Sequence, residues 1–272
     1  MDEVISCPAH KPPKGWPACW LQKKYSCHDD KWPNNGTNAI KGSCNIYFSR
    51  LANRLDSRIL QKYLFAFGYG RPALSVYEEV QKAAPARNFR QAAGIIYSGR
   101  VRNTIEDFND LSALRDSEKR WFGIGQGNCR TTPLQVANTM ATLSRGGIFK
   151  KPILFKGQAT MPEALNIKPQ TLQIVRKGMY AVVNQSDGTA YKELRSGNFA
   201  GYGITVYGKT GSTEGPYHAW FAGFAEDETG RKIAFSVIVE GGAHGSSDAG
   251  PLAREMVSLC IEAGYIGTKK HK

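Results

Sequence analysis

From Asn45 to about Phe67, apolar side chains recur at rough helical spacing at Ile46, Leu51, Leu55, Leu60 and Leu64. The spacing predicts one long helix, with Ser43 placed to cap it and Gly68-Tyr69-Gly70 to stop it. A second helix is written around Thr132: the threonine caps, Pro133 takes the first helical position and Gln135 completes a capping box. Leu134, Ala137, Met140 and Ala141 supply its apolar stripe, and Gly146-Gly147 ends it. A third runs from about Pro169 to Val183 on Leu172, Val175, Met179 and Val182. The pattern then changes. Ile204 to Gly211, His218 to Ala225 and Lys232 to Val239 are β-branched or aromatic runs parted by turn residues. Their short connections predict an antiparallel meander, because parallel neighbours need long crossovers. A closing helix starts near Pro251 and carries Leu252, Met256, Leu259 and Cys260. The order of elements predicts an α/β (α+β) sandwich, an antiparallel sheet flanked by helices, rather than a doubly wound sheet.

Residues 1–42 read as irregular, rich in Pro, Lys, Asn and Gly, with Trp16, Trp20 and Trp32 as packing anchors. Residues 71–120 mix short helical stretches with polar loop and predict no firm element, and residues 268–272 form a basic tail. Met1 to Trp20 is polar and broken by Pro8, Pro12, Pro13 and Pro17, so the sequence shows neither an export signal nor a membrane anchor. An apolar content of 41% and a charged content of 22% exclude wholesale disorder. The net charge of +13 suits an anionic surface, whether lipid headgroups, wall polymer or nucleic acid, or is simply solvated. The basic residues are scattered and no nucleic-acid-binding motif accompanies them, which argues against nucleic acid. Cys7, Cys19 and Cys27 lie beside His10 and His28. Cys7-x-x-His10 is half a zinc ligand set without a matching close pair, so a disulfide or free thiols are expected and no metal or other cofactor.

The sharpest chemistry is Lys209-Thr210-Gly211-Ser212-Thr213 at the end of a predicted strand. A lysine on a strand edge, next to a glycine without a side chain, leaves room for a ligand backbone to approach as an added strand. The Lys209 ammonium can hold a carboxylate, Thr210 or Thr213 can donate a hydroxyl to the same group, and the N–H just after Gly211 can face a developing oxyanion. The second element is Ser43-Cys44-Asn45, where a hydroxyl and an amide can relay a proton and hold a substrate amide, or simply cap a helix.

Ser43-Cys44-Asn45, Phe67-Gly68-Tyr69-Gly70, Gly125-Gln126-Gly127 with Thr132-Pro133-Leu134-Gln135, Asp187-Gly188-Thr189-Ala190, and Lys209 to Ser212 with Trp220-Phe221-Ala222-Gly223-Phe224 occur in that order. Together they resemble the transpeptidase domain of class B penicillin-binding proteins, from about Ala39 to the last helix. The resemblance implies a penicillin-recognising serine transpeptidase fold, with residues 43–267 as a partial domain. It also implies acyl transfer from D-Ala-D-Ala stem peptides of peptidoglycan, acylation by beta-lactams, a partner glycosyltransferase, and a place on the extracytoplasmic face of the membrane. Carried over by motif, Lys209 and Thr210 would hold the terminal carboxylate. Ser43 would sit in the proton relay, Asn45 would bind a substrate amide, and the Ser212 N–H would form half of an oxyanion hole.

The family's Ser-x-x-Lys occurs nowhere in the 272 residues. The resemblance therefore implies a domain incomplete at its N-terminus, with apolar helix surface uncovered and a rate lowered roughly 10⁶-fold by the missing nucleophile. The alternatives are a non-catalytic module that binds peptidoglycan or beta-lactams, and a beta-lactamase or sensor relative; the glycine-rich turn and the Thr132 helix favour the transpeptidase. A chain extended upstream to include a Ser-x-x-Lys should become covalently labelled by a fluorescent penicillin, and an extended chain that stays unlabelled would contradict the assignment.

Overall fold

The computed structural model describes residues 2–10, 12–22, 26–74, 91–98 and 107–267. Three strands, β3 (Ile204–Ser212), β4 (His218–Asp227) and β5 (Lys232–Glu240), form an antiparallel meander in the order β3-β4-β5. The register pairs Lys209 with Ala222 and Phe221 with Val237. A short hairpin, β1 (Ile148–Phe149) with β2 (Glu163–Ala164), stands apart from this sheet.

Among the described residues the α-helices are α1 (Gly36–Lys41), α2 (Asn45–Arg54), α3 (Ser57–Ala66), α4 (Asp116–Phe122), α5 (Pro133–Ser144), α6 (Pro169–Asn184), α7 (Tyr191–Leu194) and α8 (Gly250–Glu262). Helix α5 packs on β4 and β5, α6 runs along β3 and α1, and α8 lies against β4 and β5. The main core gathers Met179 and Val182 of α6, Val206 of β3, Phe221 and Phe224 of β4, Phe235 of β5 and Val257 of α8. Phe221 stacks on Phe235, and Tyr207 on Phe224. Burying an aromatic or aliphatic side chain of this kind contributes about 1.5–3 kcal/mol, so packing on the two faces of this sheet is the main stabilising element among the described residues.

Several expectations change in physical detail. The long helix of residues 45–67 is two helices, α2 and α3, because Asp56 is extended and its carboxylate accepts the N–H groups of Arg58 and Ile59 as a new N-cap. Ser43 does not cap α2: Cys44 does, its sulfur accepting from the Tyr47 N–H. Thr132, Pro133 and Gln135 build the α5 start as read from the sequence. Leu134, however, faces solvent, and the helix buries Gln135, Asn138 and Thr142 instead. The Gln135 side-chain N–H group reaches the carbonyls of Gly68, Arg71 and Ala93, so this helix anchors a turn through its amide, while Met140 and Leu143 pack on the main core. Leu252, Met256 and Leu259 of α8 are exposed, and Ala253, Val257 and Ile261 make the contact with the sheet.

Residues 1–42 contain α1 and contribute Ile5, Cys7, Cys19 and Leu21 to a second small core with Ala39, Cys44, Ile46 and Tyr47. Trp16 and Trp32 are anchors as expected, under the Arg120 guanidinium and the Lys41 ammonium respectively. Much of the stretch 71–120, and the tail 268–272, lies outside the described residues.

Asp227 ties the sheet to the chain end. Its buried carboxylate accepts from the Thr229 hydroxyl, from the N–H groups of Thr229, Gly267 and Arg231, and from the Arg231 guanidinium. Burial raises its pKa, but these donors outweigh burial and hold it below the usual carboxylate range. Asp227→Asn should lower Tm by roughly 5–10 °C, measured by thermal melting; an unchanged Tm would show that this network contributes nothing.

Candidate functional site

The edge of β3 that faces away from β4 carries the site. In an antiparallel pair, alternate residues direct their backbone groups to the neighbouring strand. The Thr213 N–H donates to the His218 carbonyl, so Thr213, Gly211 and Lys209 are paired with β4 while Thr210 and Ser212 face the open edge. The Ser212 N–H thus points to the open edge.

Gly211 suits a close approach, since a Cβ there would press on Trp220 Cβ at 3.2 Å. Gly245, which opens the π-helical turn Gly245–Ala249 leading into α8, sits tighter still, and an added Cβ would lie 2.3 Å from the Gly211 carbonyl oxygen. The Gly245 N–H also donates to Ser212 Oγ at 3.1 Å, so this turn braces the end of β3.

Lys209 Nζ donates to Ser43 Oγ at 2.7 Å and to the Thr210 carbonyl at 2.7 Å. Residues 166 positions apart in the chain are thereby joined at one point. Desolvation lowers the Lys209 pKa to about 8, so near neutral pH the amine sits close to proton exchange with the hydroxyl it holds. Ser43 itself is in the left-handed region at φ 56, a conformation that a non-glycine residue adopts only when its surroundings impose it. Thr210 Oγ1 lies 2.9 Å from Thr189 Oγ1, which brings the Asp187-Gly188-Thr189-Ala190 turn against the strand. Lys41 holds that turn from behind, through a 2.7 Å ion pair with Asp187.

Two expected site residues are engaged elsewhere. The Thr213 hydroxyl donates to the Pro216 carbonyl at 2.6 Å and accepts from the His218 N–H, so it shapes the turn between β3 and β4. The Asn45 amide donates to the Ala18 carbonyl at 2.9 Å, toward the N-terminal loop. Thr189 and Gln126, read only as members of motifs, are the additions. Gln126 Nε2 donates to the Ser212 carbonyl at 2.9 Å.

Behind Ser43, the structure gathers Cys7, Cys19, His28 and Cys44, all buried, with their ligand atoms within 4.8 Å of one another. His28 Nδ1 is 3.6 Å from Cys7 Sγ and 3.4 Å from Cys19 Sγ. Its Nε2 lies 2.9 Å from the Gly42 carbonyl, which assigns the N–H to Nε2 and leaves Nδ1 facing the sulfurs. Gly42 is obligatory here, because a Cβ would stand 2.7 Å from the imidazole. Hydrogen bonds from Cys44 and Cys7 lower the Cys19 pKa, and in return Cys44 is raised and Cys7 is pushed up to about 12.

Of the two sequence expectations, the structure shows the free thiols and not the disulfide, but it gathers three of them with His28. The six cysteines are unbonded, and Cys27 lies apart with its N–H on Asp30. The fourth donor is Cys44, which no local spacing signals. A tetrahedral zinc with Zn–S near 2.3 Å separates its sulfurs by ~3.8 Å, and a buried Cys₃His set with its histidine pinned by a backbone carbonyl suits that ion. Held this way, Cys44 would tie the N-terminal loop to the Ser43-Asn45 turn.

With this geometry in view, the comparisons with known proteins identify the class. Residues 2–258 match the family described as the penicillin binding protein transpeptidase domain, and the chain belongs to that family. It is 26% identical over 281 residues to the peptidoglycan D,D-transpeptidase MrdA of Haemophilus influenzae, covering 90% of this chain and 40% of that protein. It is 28% identical over 241 residues to the peptidoglycan D,D-transpeptidase PbpA of Mycobacterium tuberculosis, covering 84% and 43%. Among solved structures, the penicillin-binding protein PBP2 of Helicobacter pylori superposes with a TM-score of 0.73 at 25% identity, over 97% of this chain and 46% of that one. The chain thus spans less than half the length of these relatives. The helix-flanked antiparallel sheet is the fold of this family.

The purified protein should carry about one zinc, and removing it with a chelator should lower Tm by roughly 10 °C or more. Cys44→Ala should abolish metal binding and Cys27→Ala should leave it intact. Metal-free protein, or equal loss in both variants, would contradict the site.

Proposed function

We propose that this chain supplies the carboxylate-binding and proton-relay side of a peptidoglycan D,D-transpeptidase site. Its ligands would be stem peptides ending in D-Ala-D-Ala, and beta-lactams. The observation that carries this reading is the Lys209 ammonium, 2.7 Å from Ser43 Oγ at an open strand edge. A terminal carboxylate laid along that edge would take its charge partner from Lys209 and a hydroxyl from Thr210, oriented by Thr189. The scissile carbonyl, one residue back, would then lie near the Ser212 N–H, where developing negative charge is stabilised. Lys209, with its pKa near 8, would exchange a proton with Ser43, which relays it to or from the reacting groups.

The serine that the family acylates belongs to a Ser-x-x-Lys, and none occurs among these 272 residues. That same fact favours a second reading, a module that binds the peptide or beta-lactam without catalysis. The relatives give further support to the first. The PBP2 of Helicobacter pylori has been solved in complex with MreC, and that of Pseudomonas aeruginosa in complex with WCK 5153. On this reading the chain works with a glycosyltransferase and scaffold partners on the outer side of the membrane. Among the described residues, no helix is long and apolar enough to cross one.

The test is binding of diacetyl-Lys-D-Ala-D-Ala by calorimetry. Lys209→Ala should weaken it roughly tenfold to a hundredfold, the range of a charge-assisted hydrogen bond. Affinity should also fall as pH rises through about 8, because the lysine then loses the proton that attracts the carboxylate. Equal affinity for the C-terminally amidated peptide, or a flat pH profile, would overturn the proposal.

A further inference from the structure

Part of the open edge of β3 is already occupied. Three of its outward carbonyls accept from side chains: Val206 from Asn184 Nδ2, Thr210 from Lys209 Nζ and Ser212 from Gln126 Nε2. The first two donors are held in place, Asn184 at the end of α6 and Lys209 by Ser43. Gln126 is different. It comes from a loop 86 residues away in the chain and stands between Gly125 at φ 70 and Gly127 at φ 73. Its backbone is fixed, with the Gln126 N–H on the Trp121 carbonyl and the Gly125 N–H on Phe122. Only the side chain has to turn for the contact with Ser212 to break, and the contact is solvent-exposed.

A peptide that adds to this edge as a strand must place its own N–H on an outward carbonyl, and Ser212 is the acceptor at the end where the chain upstream of the terminal carboxylate would run. The Gln126 amide makes that same bond in the free protein. We propose that Gln126 is a displaceable gate on the Ser212 carbonyl: its side-chain amide stands in for the ligand's backbone N–H and is exchanged for it on binding. This inference rests on the carboxylate-binding reading of the site. It adds a selection rule. A ligand with a backbone or acylamino N–H at this position recovers the bond that it displaces. One without such a donor leaves the carbonyl with Gln126 or with water, and gains nothing from the edge.

The test is calorimetry of this chain with diacetyl-Lys-D-Ala-D-Ala, comparing wild type with Gln126→Ala and with Gln126→Met, which keeps the volume and loses the donor. Both variants should bind about fivefold more tightly, the value of one net hydrogen bond no longer displaced. In ¹H–¹⁵N spectra, the Gln126 side-chain amide should move to a solvent-like shift on saturation with the peptide, which a purely structural role for Gln126 would not produce. Unchanged or weaker binding in both variants, or a Gln126 amide that stays bonded in the saturated complex, would overturn the gate. If binding is still lost in Lys209→Ala while the Gln126 variants match wild type, the gate fails and the site reading stands. If wild type binds no peptide, both fall together.

Discussion

The hydrogen bond from the Lys209 ammonium to the Ser43 hydroxyl joins the sheet to the turn between α1 and α2 at the site. Lys209 is fixed by the β3-β4 register and by the Thr210 carbonyl, and Ser43 by the turn between α1 and α2. Because the ammonium is desolvated, its pKa drops to about 8 from an ordinary value near 10.4. Between those two values the unfolded chain holds the proton that the folded site has released, so stability rises with pH across that window. The fold therefore keeps a lysine poised to give up its proton at some cost below pH 8, an arrangement typical of sites that move protons.

Everything on the helical side converges on holding Ser43 in its left-handed conformation. Cys44 is drawn back into the buried thiol cluster, His28 and Trp20 both reach the Gly42 carbonyl, and Asn45 is tied to Ala18. Lys41 extends the same support to the other side of the site, through Asp187 to the turn that carries Thr189. The N-terminal 42 residues thus act as a mould for the Ser43 turn, with their own small core.

The sheet was legible in the sequence because its signals are local: β-branched and aromatic runs, short turns, and a glycine at the point of closest approach. The α5 cap was equally legible, since Thr132, Pro133 and Gln135 act within one helical turn. Motif order disclosed the family and paired Lys209 with Ser43. What stayed hidden depends on tertiary contacts. No periodicity shows that α5 would bury the Gln135 amide and leave Leu134 in water, because three distant carbonyls decide it. The thiol cluster was missed because its fourth member, Cys44, is spaced like a motif residue and not like a ligand. Thr213 looked like a substrate contact until the turn to Pro216 claimed its hydroxyl, and Asp56 broke a helix that the apolar spacing alone would have continued.

The account stands on the desolvated state of Lys209 and its bond to Ser43. The most direct measurement is an NMR titration of the Lys209 side chain, selectively labelled, in the wild-type chain and in Ser43→Ala. The structure requires a midpoint near pH 8 in the wild type and a displaced midpoint in the variant. A lysine that titrates near 10.4 in both proteins, as a solvated one does, would mean that the two halves do not meet where the structure joins them.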